Sequence, residues 1–370
     1  MSADPSPPPP ATLPEPPARK PLVLAPAQAL GLLAGAALVL GLGALLLLGS
    51  GAPEWRDLSR LPFTLEPLLV PRETLAVPAG PDFFPPLDQP QLLEPDEVAG
   101  FQLGRGKFLV PGDRVIGVVV DGQACAYPLR VMEWHEALDT ELGAVPIAVT
   151  YGALAECVRV FDRRVGGETL SLRPSGALSN MGALLFDQRP EPRRSETRPS
   201  SLWSQVDGRA VAGPAAARGE RLRPIPAELV TWGAWQAAHP QSRVLAPDLR
   251  VGKLYKRNPY AVYMGREALP FPVEPLPPPG LAPKARILAV EAGGQRRVYA
   301  VERVAAQADP DGRWETTHGQ VRLAFQVVHD PAGVGPSALR VTRPDGGELL
   351  AVPALWFAWH AHHPQDPLVD

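Results

Sequence analysis

Short apolar runs that alternate with polar residues and end at glycine, proline or Asp-Gly pairs dominate the chain after residue 92. The clearest is RVIGVVVDGQACAYPL, residues 114–129, in which Asp121-Gly122 forms a favoured two-residue hairpin turn. This pattern predicts a β-hairpin that places five side chains on one face, namely Ile116, Val118, Val120, Cys125 and Tyr127. Cys125 is then most simply a small core residue.

Two patterns recur further along the chain in the same order. RILAVEAGGQRRVYAV repeats the hairpin pattern, and its Tyr299 lies 172 positions after Tyr127. LVTWGAWQAAHPQS returns as ALWFAWHAHHPQD, in which Trp356 lies 124 positions after Trp232. Two echoes in one order predict an internal duplication.

The predicted fold class is mainly β (α+β), an internally duplicated β-rich domain with short helices, preceded by one N-terminal transmembrane helix. We expect a first β-rich repeat over residues 92–265 and a second, shorter repeat over residues 266–370. Each repeat is expected to close with a short amphipathic helix. In the first of these helices, Trp232, Trp235 and His239 share one face. Packing against a sheet explains that face more simply than a cofactor does.

The run from Ala27 to Leu48 is apolar except for Gln28. As a helix it spans roughly 30 Å, the thickness of a bilayer's hydrocarbon core. We therefore predict a transmembrane helix within residues 21–50, between a disordered Pro-rich tail (1–20) and a tether (51–91). A cleaved signal peptide and a buried core helix are the alternatives.

Arg19 and Lys20 precede the apolar run, whereas Arg56 and Arg60 follow it among acidic residues. The positive-inside rule then places the tail in the cytoplasm. We expect a single-pass protein of the cell membrane whose body is extracytoplasmic, either periplasmic or at the cell surface. The membrane is the partner that this implies. A net charge of -3 gives no basic face for nucleic acid.

Three segments in order resemble a known prokaryotic family. They are VIGVVVDGQACAYPLRVMEWHEALDTELGAVPIAVTY, VFDRRVGGETLSLRPSGALSNMGALLFDQ and SLWSQVDGRAVAGP. The family is the domain-of-unknown-function family 3179, and the resemblance runs from about residue 92 to the C-terminus. It implies an exported or membrane-associated domain and supplies no reaction.

This chain departs from the family at one motif. Relatives commonly read TYCPLCGSAVVF where this chain reads TYGALAECVRVF. Gly152 and Ala155 stand in place of the two cysteines, and Cys157 stands in place of the serine. A Cys-x-x-Cys pair binds metal or cycles as a disulfide, and neither is open to these side chains. An Arg/Glu/Pro-rich insertion at residues 189–200 is expected to form a solvated loop.

The segment EWHEALDT brings together Glu133, His135, Glu136 and Asp139. A histidine flanked by carboxylates serves as a general base or a metal ligand. The alternative is a histidine buried beside Trp134 and hydrogen-bonded to the backbone.

Three further features carry polar or reactive groups. His360, His362 and His363 suit a transition metal or the negative end of a helix. Cys125 and Cys157 suit a disulfide in an exported body, or two separate core thiols. The segment SGALSNMGALLFD, with Ser175, Ser179 and Asn180, suits a ligand loop or a turn between strands.

Together these features favour a protein that binds a ligand or a partner without turnover, at a site between EWHE and the turn at residues 151–157. The candidate ligand-binding residues are His135, Glu136, Tyr151, Cys157, Asn180 and Trp203. The alternative is a metal-dependent or acid/base enzyme that uses His135 with Glu136 or Asp139. A structural envelope component is a third hypothesis. No metal ligand is assigned, and the sequence identifies no cofactor.

Overall fold

A computed structural model describes residues 54–61, 65–81, 83–85, 87, 90–104, 106–188, 201–329, 335–347 and 349–369. The predicted tail and the predicted membrane helix lie outside the described residues. Among the described helices, none is both long and apolar enough to cross a bilayer.

The protein is mainly β, as predicted, with 43% of residues in strands and 18% in helices. The first part of the chain contributes these strands: β1 (Leu75–Ala76), β2 (Leu92–Leu93), β3 (Gln102–Leu103), β4 (Gly106–Lys107), β5 (Arg114–Val120), β6 (Gln123–Pro128), β7 (Ala137–Leu142), β8 (Val145–Gly152), β9 (Cys157–Asp162), β10 (Arg164–Val165), β11 (Glu168–Thr169), β12 (Ser171–Ser179), β13 (Gly182–Gln188), β14 (Leu202–Ser204), β15 (Ala210–Ala212), β16 (Arg223–Ile225), β17 (Ala227–Thr231) and β18 (Arg243–Leu245).

The later part contributes β19 (Arg286–Ala292), β20 (Gln295–Ala300), β21 (Arg313–His318), β22 (Val321–His329), β23 (Pro336–Thr342), β24 (Leu350–Leu355) and β25 (Leu368–Val369). The α-helices are short: α1 (Pro95–Val98), α2 (Leu129–His135), α3 (Pro214–Ala217), α4 (Trp232–Ala238), α5 (Ala261–Met264), α6 (Val301–Gln307) and α7 (Trp356–His362).

Strands β5 and β6 form the predicted hairpin in the predicted register, with Ile116 opposite Tyr127 and Val118 opposite Cys125. Asp121 and Gly122 both have positive φ, at 49° and 73°, as a two-residue turn with the twist of its strands requires. The turn therefore fixes which side chains enter the core.

Two sheets share one strand order. The first hairpin sheet runs β17-β5-β6-β18-β2, and the second hairpin sheet runs β24-β19-β20-β25. In each, the hairpin is followed by a helix, a return strand pairs antiparallel with the first hairpin strand, and a short terminal strand pairs parallel with the second. Even the register agrees, because Leu229 faces Ile116 in one sheet and Pro353 faces Leu288 in the other.

The repeated tryptophan motif forms the helix that follows each return strand. The indole Nε1–H of Trp235 donates to Ser242 Oγ at 2.8 Å, and that of Trp359 donates to Asp366 Oδ2 at 3.0 Å. Both rings are about 1% exposed. The predicted apolar face of α4 is therefore a packed face against its sheet.

Each hairpin sheet is accompanied by a three-stranded meander, β7-β8-β9 in the first part and β21-β22-β23 in the second. The first part also carries the five-stranded sheet β1-β12-β13-β14-β15. Strand β1, from the expected tether, adds to the edge of that sheet through Leu75 and Ala76.

The two parts share their cores. Val328 and Ala338 of the second meander belong to the apolar cluster of the first hairpin sheet. Leu154, Ala155 and Cys157 of the first meander belong to the cluster around α7 and the second hairpin sheet. Each part thus covers apolar surface of the other, and this exchange brings β9 close to α7.

Candidate functional site

His135 is 1% exposed, and both of its ring nitrogens are engaged. Nδ1 donates to the carbonyl oxygen of Pro85 at 2.7 Å, which leaves Nε2 to accept from the Tyr255 hydroxyl at 2.7 Å. Burial lowers the pKa of His135, in keeping with this neutral tautomer. The ring therefore serves as a packed, satisfied histidine and presents no free nitrogen to a substrate or metal.

Glu136 and Tyr151 come together as the sequence suggested, through the backbone bond from Tyr151 N–H to the Glu136 carbonyl at 2.8 Å. The Glu136 carboxyl accepts from the Tyr260 hydroxyl at 2.9 Å, and burial raises its pKa to about 8. Burial also raises the pKa of nearby Glu133 to about 7. Asp139 lies elsewhere, paired with Arg163 and Arg173.

Glu156 occupies the turn between β8 and β9 with a positive φ of 46°. Its side chain is 6% exposed and pairs with Arg286 at 2.7 Å and with Arg114 at 2.5 Å. Burial alone would raise the pKa of Glu156, but the two guanidinium groups hold it below its ordinary value. These arginines begin the equivalent strands β5 and β19, so one carboxylate joins the two hairpin sheets.

The remaining sequence candidates are buried in the fold. The Asn180 side chain makes two hydrogen bonds to the backbone of Glu274. Its Nδ2 donates to the carbonyl oxygen at 3.1 Å, and its Oδ1 accepts from the N–H at 2.8 Å. Trp203 lies in β14 opposite Leu185 of β13 and is fully buried, and its indole Nε1 has no hydrogen-bond partner among the described residues. Burial raises the pKa of Cys157 to about 12. Cys157 and Cys125 are free thiols in different apolar clusters, so the structure contains no disulfide between them.

None of the six sequence candidates lines a cavity that lies where the two parts of the chain meet. That cavity, called here the basic cavity, has a volume of about 400 Å³ and lies between β9, the turn after β14, the second hairpin sheet and α7. Its lining includes four arginines and two histidines, which are Arg159, Arg209, Arg221, Arg296, His362 and His363.

Arg159 is the buried cation of this cavity. It is 7% exposed, its Nε has no hydrogen-bond partner, and no ion pair to it is formed within the described residues. Its guanidinium carbon lies 5.3 Å from the ring centroid of Phe161. Burial lowers the pKa of Arg159. A desolvated guanidinium without an anion is costly.

The neighbouring cations are already compensated. Arg296 pairs with Asp366 at 2.6 Å and donates from Nη2 to His363 Nδ1 at 3.1 Å. His363 Nε2 then lies 3.0 Å from Asp207, which also pairs with Arg209 at 2.9 Å. This series of contacts fixes His363 in place at the end of α7, and Arg159 forms no ion pair among the described residues.

His362 supplies an uncharged polar group. Burial lowers its pKa to about 4, so the imidazole is neutral near pH 7. Its Nε2 is buried without a hydrogen-bond partner among the described residues. A Cβ at Gly182 would lie 2.7 Å from that nitrogen, so glycine is what allows the ring to sit there.

Sequence reasoning missed Arg159, Asp207 and Arg296. One signal was present, because Arg159 interrupts the apolar run CVRVF of a strand whose residues are all buried. The convergence of the three residues was not readable, since they come from three distant elements. Within the described residues, no group of three or more His, Cys, Asp or Glu is placed to hold a metal ion.

The fold and the cavity define a mainly β protein with two similarly connected hairpin sheets and a cationic cavity where the two parts meet. The chain belongs to the family described as a protein of unknown function, DUF3179, whose family model matches residues 81–366. The resemblance drawn from the sequence is therefore confirmed. No curated protein and no solved structure matches the chain.

Proposed function

We propose that this protein binds an anionic ligand in the basic cavity without chemical turnover. The observation that carries the proposal is the unpartnered, buried guanidinium of Arg159 in a cavity of about 400 Å³. Cavities of this size are typical of small-molecule sites. An anion on Arg159 would recover the interaction that burial has removed from water.

The groups around the cavity favour binding over catalysis. His363 is engaged between Arg296 and Asp207, and His362 is neutral with a pKa of about 4, which makes it a weak base. A general base works best with a pKa near the operating pH. The alternative enzyme hypothesis relies on His135, whose two nitrogens are already occupied, so no observation favours it.

We also propose that the protein is anchored in the cell membrane by its N-terminal apolar run, with an extracytoplasmic body. The length of the run from Ala27 to Leu48 and the flanking Arg19 and Lys20 support this. Cell fractionation tests the anchor, and protease accessibility in intact spheroplasts tests the side. A body recovered in the soluble cytoplasmic fraction would refute both statements.

We further propose that the two hairpin sheets arose by duplication of one segment. The support is their common strand order and common register. Chance similarity would not preserve the equivalent bonds of Trp235 and Trp359 to residues seven positions onward.

The binding proposal is tested with the full chain in neutral detergent. Thermal unfolding is followed by tryptophan fluorescence in sodium acetate and in sodium chloride of equal ionic strength. At ten times its dissociation constant a ligand stabilises by about 1.4 kcal/mol, a rise in Tm on the order of 2–4 °C. Arg159→Met should abolish this rise, while Arg322→Met, at an exposed arginine outside the cavity, should keep it.

Arg159→Met has a second expected effect. Because it replaces an unpartnered buried charge with an apolar chain of similar length, the variant without anion should be more stable than the wild type by roughly 1–3 kcal/mol. A variant that is less stable than the wild type would mean that Arg159 is structural, and the binding proposal would fail.

A further inference from the structure

We infer that the ligand of the basic cavity is an organic monocarboxylate with an apolar body, a statement that rests on the proposed function and narrows it. The carboxylate would sit on Arg159, and the apolar body would lie along the wall formed by the second hairpin sheet. Three features of the cavity lead to this class of ligand: its charge, its helix end and its wall.

The first feature is the charge of the cavity. Arg209 and Arg296 are paired with carboxylates of the protein. At the mouth, Arg221 and Glu291 are both exposed, so their charges offset each other and are screened by solvent. The carboxylates of Asp207 and Glu291 favour the charged form of Arg159, but neither forms an ion pair with it among the described residues. The lining therefore carries one positive charge in excess, which one negative charge on the ligand would balance.

The second feature is the helix that ends at the cavity. His362 is the last residue of α7, and His363 is its C-cap. The C-terminal end of a helix carries partial negative charge, which opposes any anion but disfavours a phosphate dianion more than a carboxylate monoanion. Phosphate sites usually present backbone N–H groups from a helix N-terminus or a glycine-rich loop, whereas this cavity presents side chains and a helix C-terminus.

The third feature is the apolar part of the lining. A cavity of about 400 Å³ holds far more than one inorganic oxyanion. Part of its wall is apolar, from Val206, Leu222, Pro224, Ala289, Leu350, Val352 and the ring of Trp359. Contact with such a wall does not increase the affinity for an inorganic ion, whereas each methylene that a ligand buries there does increase its affinity.

The scaffold itself does not require these groups. Arg296 of β20 and His362 of α7 correspond, in the matching register of the two hairpin sheets, to Ala124 of β6 and Ala238 of α4. Arg296 and His362 are therefore confined to one of the two similarly built junctions, whereas His363 has a counterpart in His239. A position needed only to hold the fold would be expected at both.

The test is isothermal titration calorimetry of the full chain in neutral detergent. Each probe is kept below its own critical micelle concentration. The probes are acetate, hexanoate, hexanamide and inorganic phosphate. Four additional methylenes at about 0.8 kcal/mol each correspond to roughly 200-fold tighter binding of hexanoate than of acetate. Hexanamide, which lacks the charge, should bind at least ten-fold more weakly than hexanoate, and Arg159→Met should remove that difference.

A second variant separates the apolar wall from the charge. Leu350→Asn should weaken hexanoate about ten-fold and leave acetate unchanged, because Leu350 lines the wall and carries no charge. If phosphate binds through Arg159 while chain length has no effect, anion binding stands and the monocarboxylate inference is overturned. If no probe binds and Arg159→Met is destabilising, the proposed function itself is overturned.

Discussion

Glu156→Gln tests the carboxylate that joins the two hairpin sheets. The substitution keeps the size and the backbone of the residue but removes its charge, leaving Arg114 and Arg286 without their shared partner. Removing one partner of a buried ion pair typically costs about 3–5 kcal/mol. Since the Arg286 side chain is 40% exposed and Arg114 is 22% exposed, solvent screening reduces the cost, and we expect a loss of about 3 kcal/mol.

The assay is equilibrium unfolding in urea, followed by tryptophan fluorescence at pH 7. The matched control is Glu315→Gln, the same change in an exposed pair with Arg322 in which both side chains are more than 60% exposed. That pair is expected to contribute at most about 1 kcal/mol. The difference between the two variants isolates the effect of burial from the effect of the substitution itself.

The pH dependence provides an independent check with a definite sign. The pKa of Glu156 is lowered in the folded state, so its stabilisation is complete above its unfolded pKa of about 4.3. The stabilisation is lost as the pH falls through the lowered folded value. The unfolding free energies of the wild type and Glu156→Gln should therefore converge in acid. Equal costs for the two variants at pH 7, or a gap that persists in acid, would refute the reasoning.

Three further outcomes are expected. Because burial raises the pKa of Glu136 to about 8, the wild type should lose stability as the pH rises from about 4.3 towards 8. In urea titrations Glu136→Gln should show a smaller loss, and what remains is expected from Glu133, whose pKa burial raises to about 7. Gly117→Ala should lower Tm, at a cost of roughly 1–3 kcal/mol, because its Cβ would lie 2.2 Å from the Trp235 ring; an unchanged Tm would contradict this contact. Cys125 and Cys157 are buried with pKa values near 12, so a thiol reagent should label them only in denaturant, and rapid labelling of the native protein would show that the burial is wrong.

Local chemistry made part of the fold predictable. The Asp121-Gly122 turn sets the register of its hairpin, so the inward positions of β5 and β6 followed from the sequence. The helical spacing of Trp232 and Trp235 likewise predicted α4. In both cases the determining interactions lie within a dozen residues, and sequence patterns report such interactions directly.

The basic cavity was not predictable by the same means. Arg159 comes from β9 of the first meander, Asp207 from the turn between β14 and β15 of the five-stranded sheet, and His362 from α7. Their proximity depends on how the two parts of the chain pack. His135 misled sequence reasoning for a related reason, because Pro85 and Tyr255, its two partners, are distant in sequence.

The exchange of apolar surface between the parts limits how this protein can be divided. Val328 and Ala338 complete one core, and Leu154 and Cys157 complete the other. A chain cut in the connection near residue 276 would yield two fragments. Each fragment alone would expose the apolar surface that the other part covers in the intact protein. Produced together, they should reassemble as a complementing pair, and neither fragment would serve as an independently evolving module.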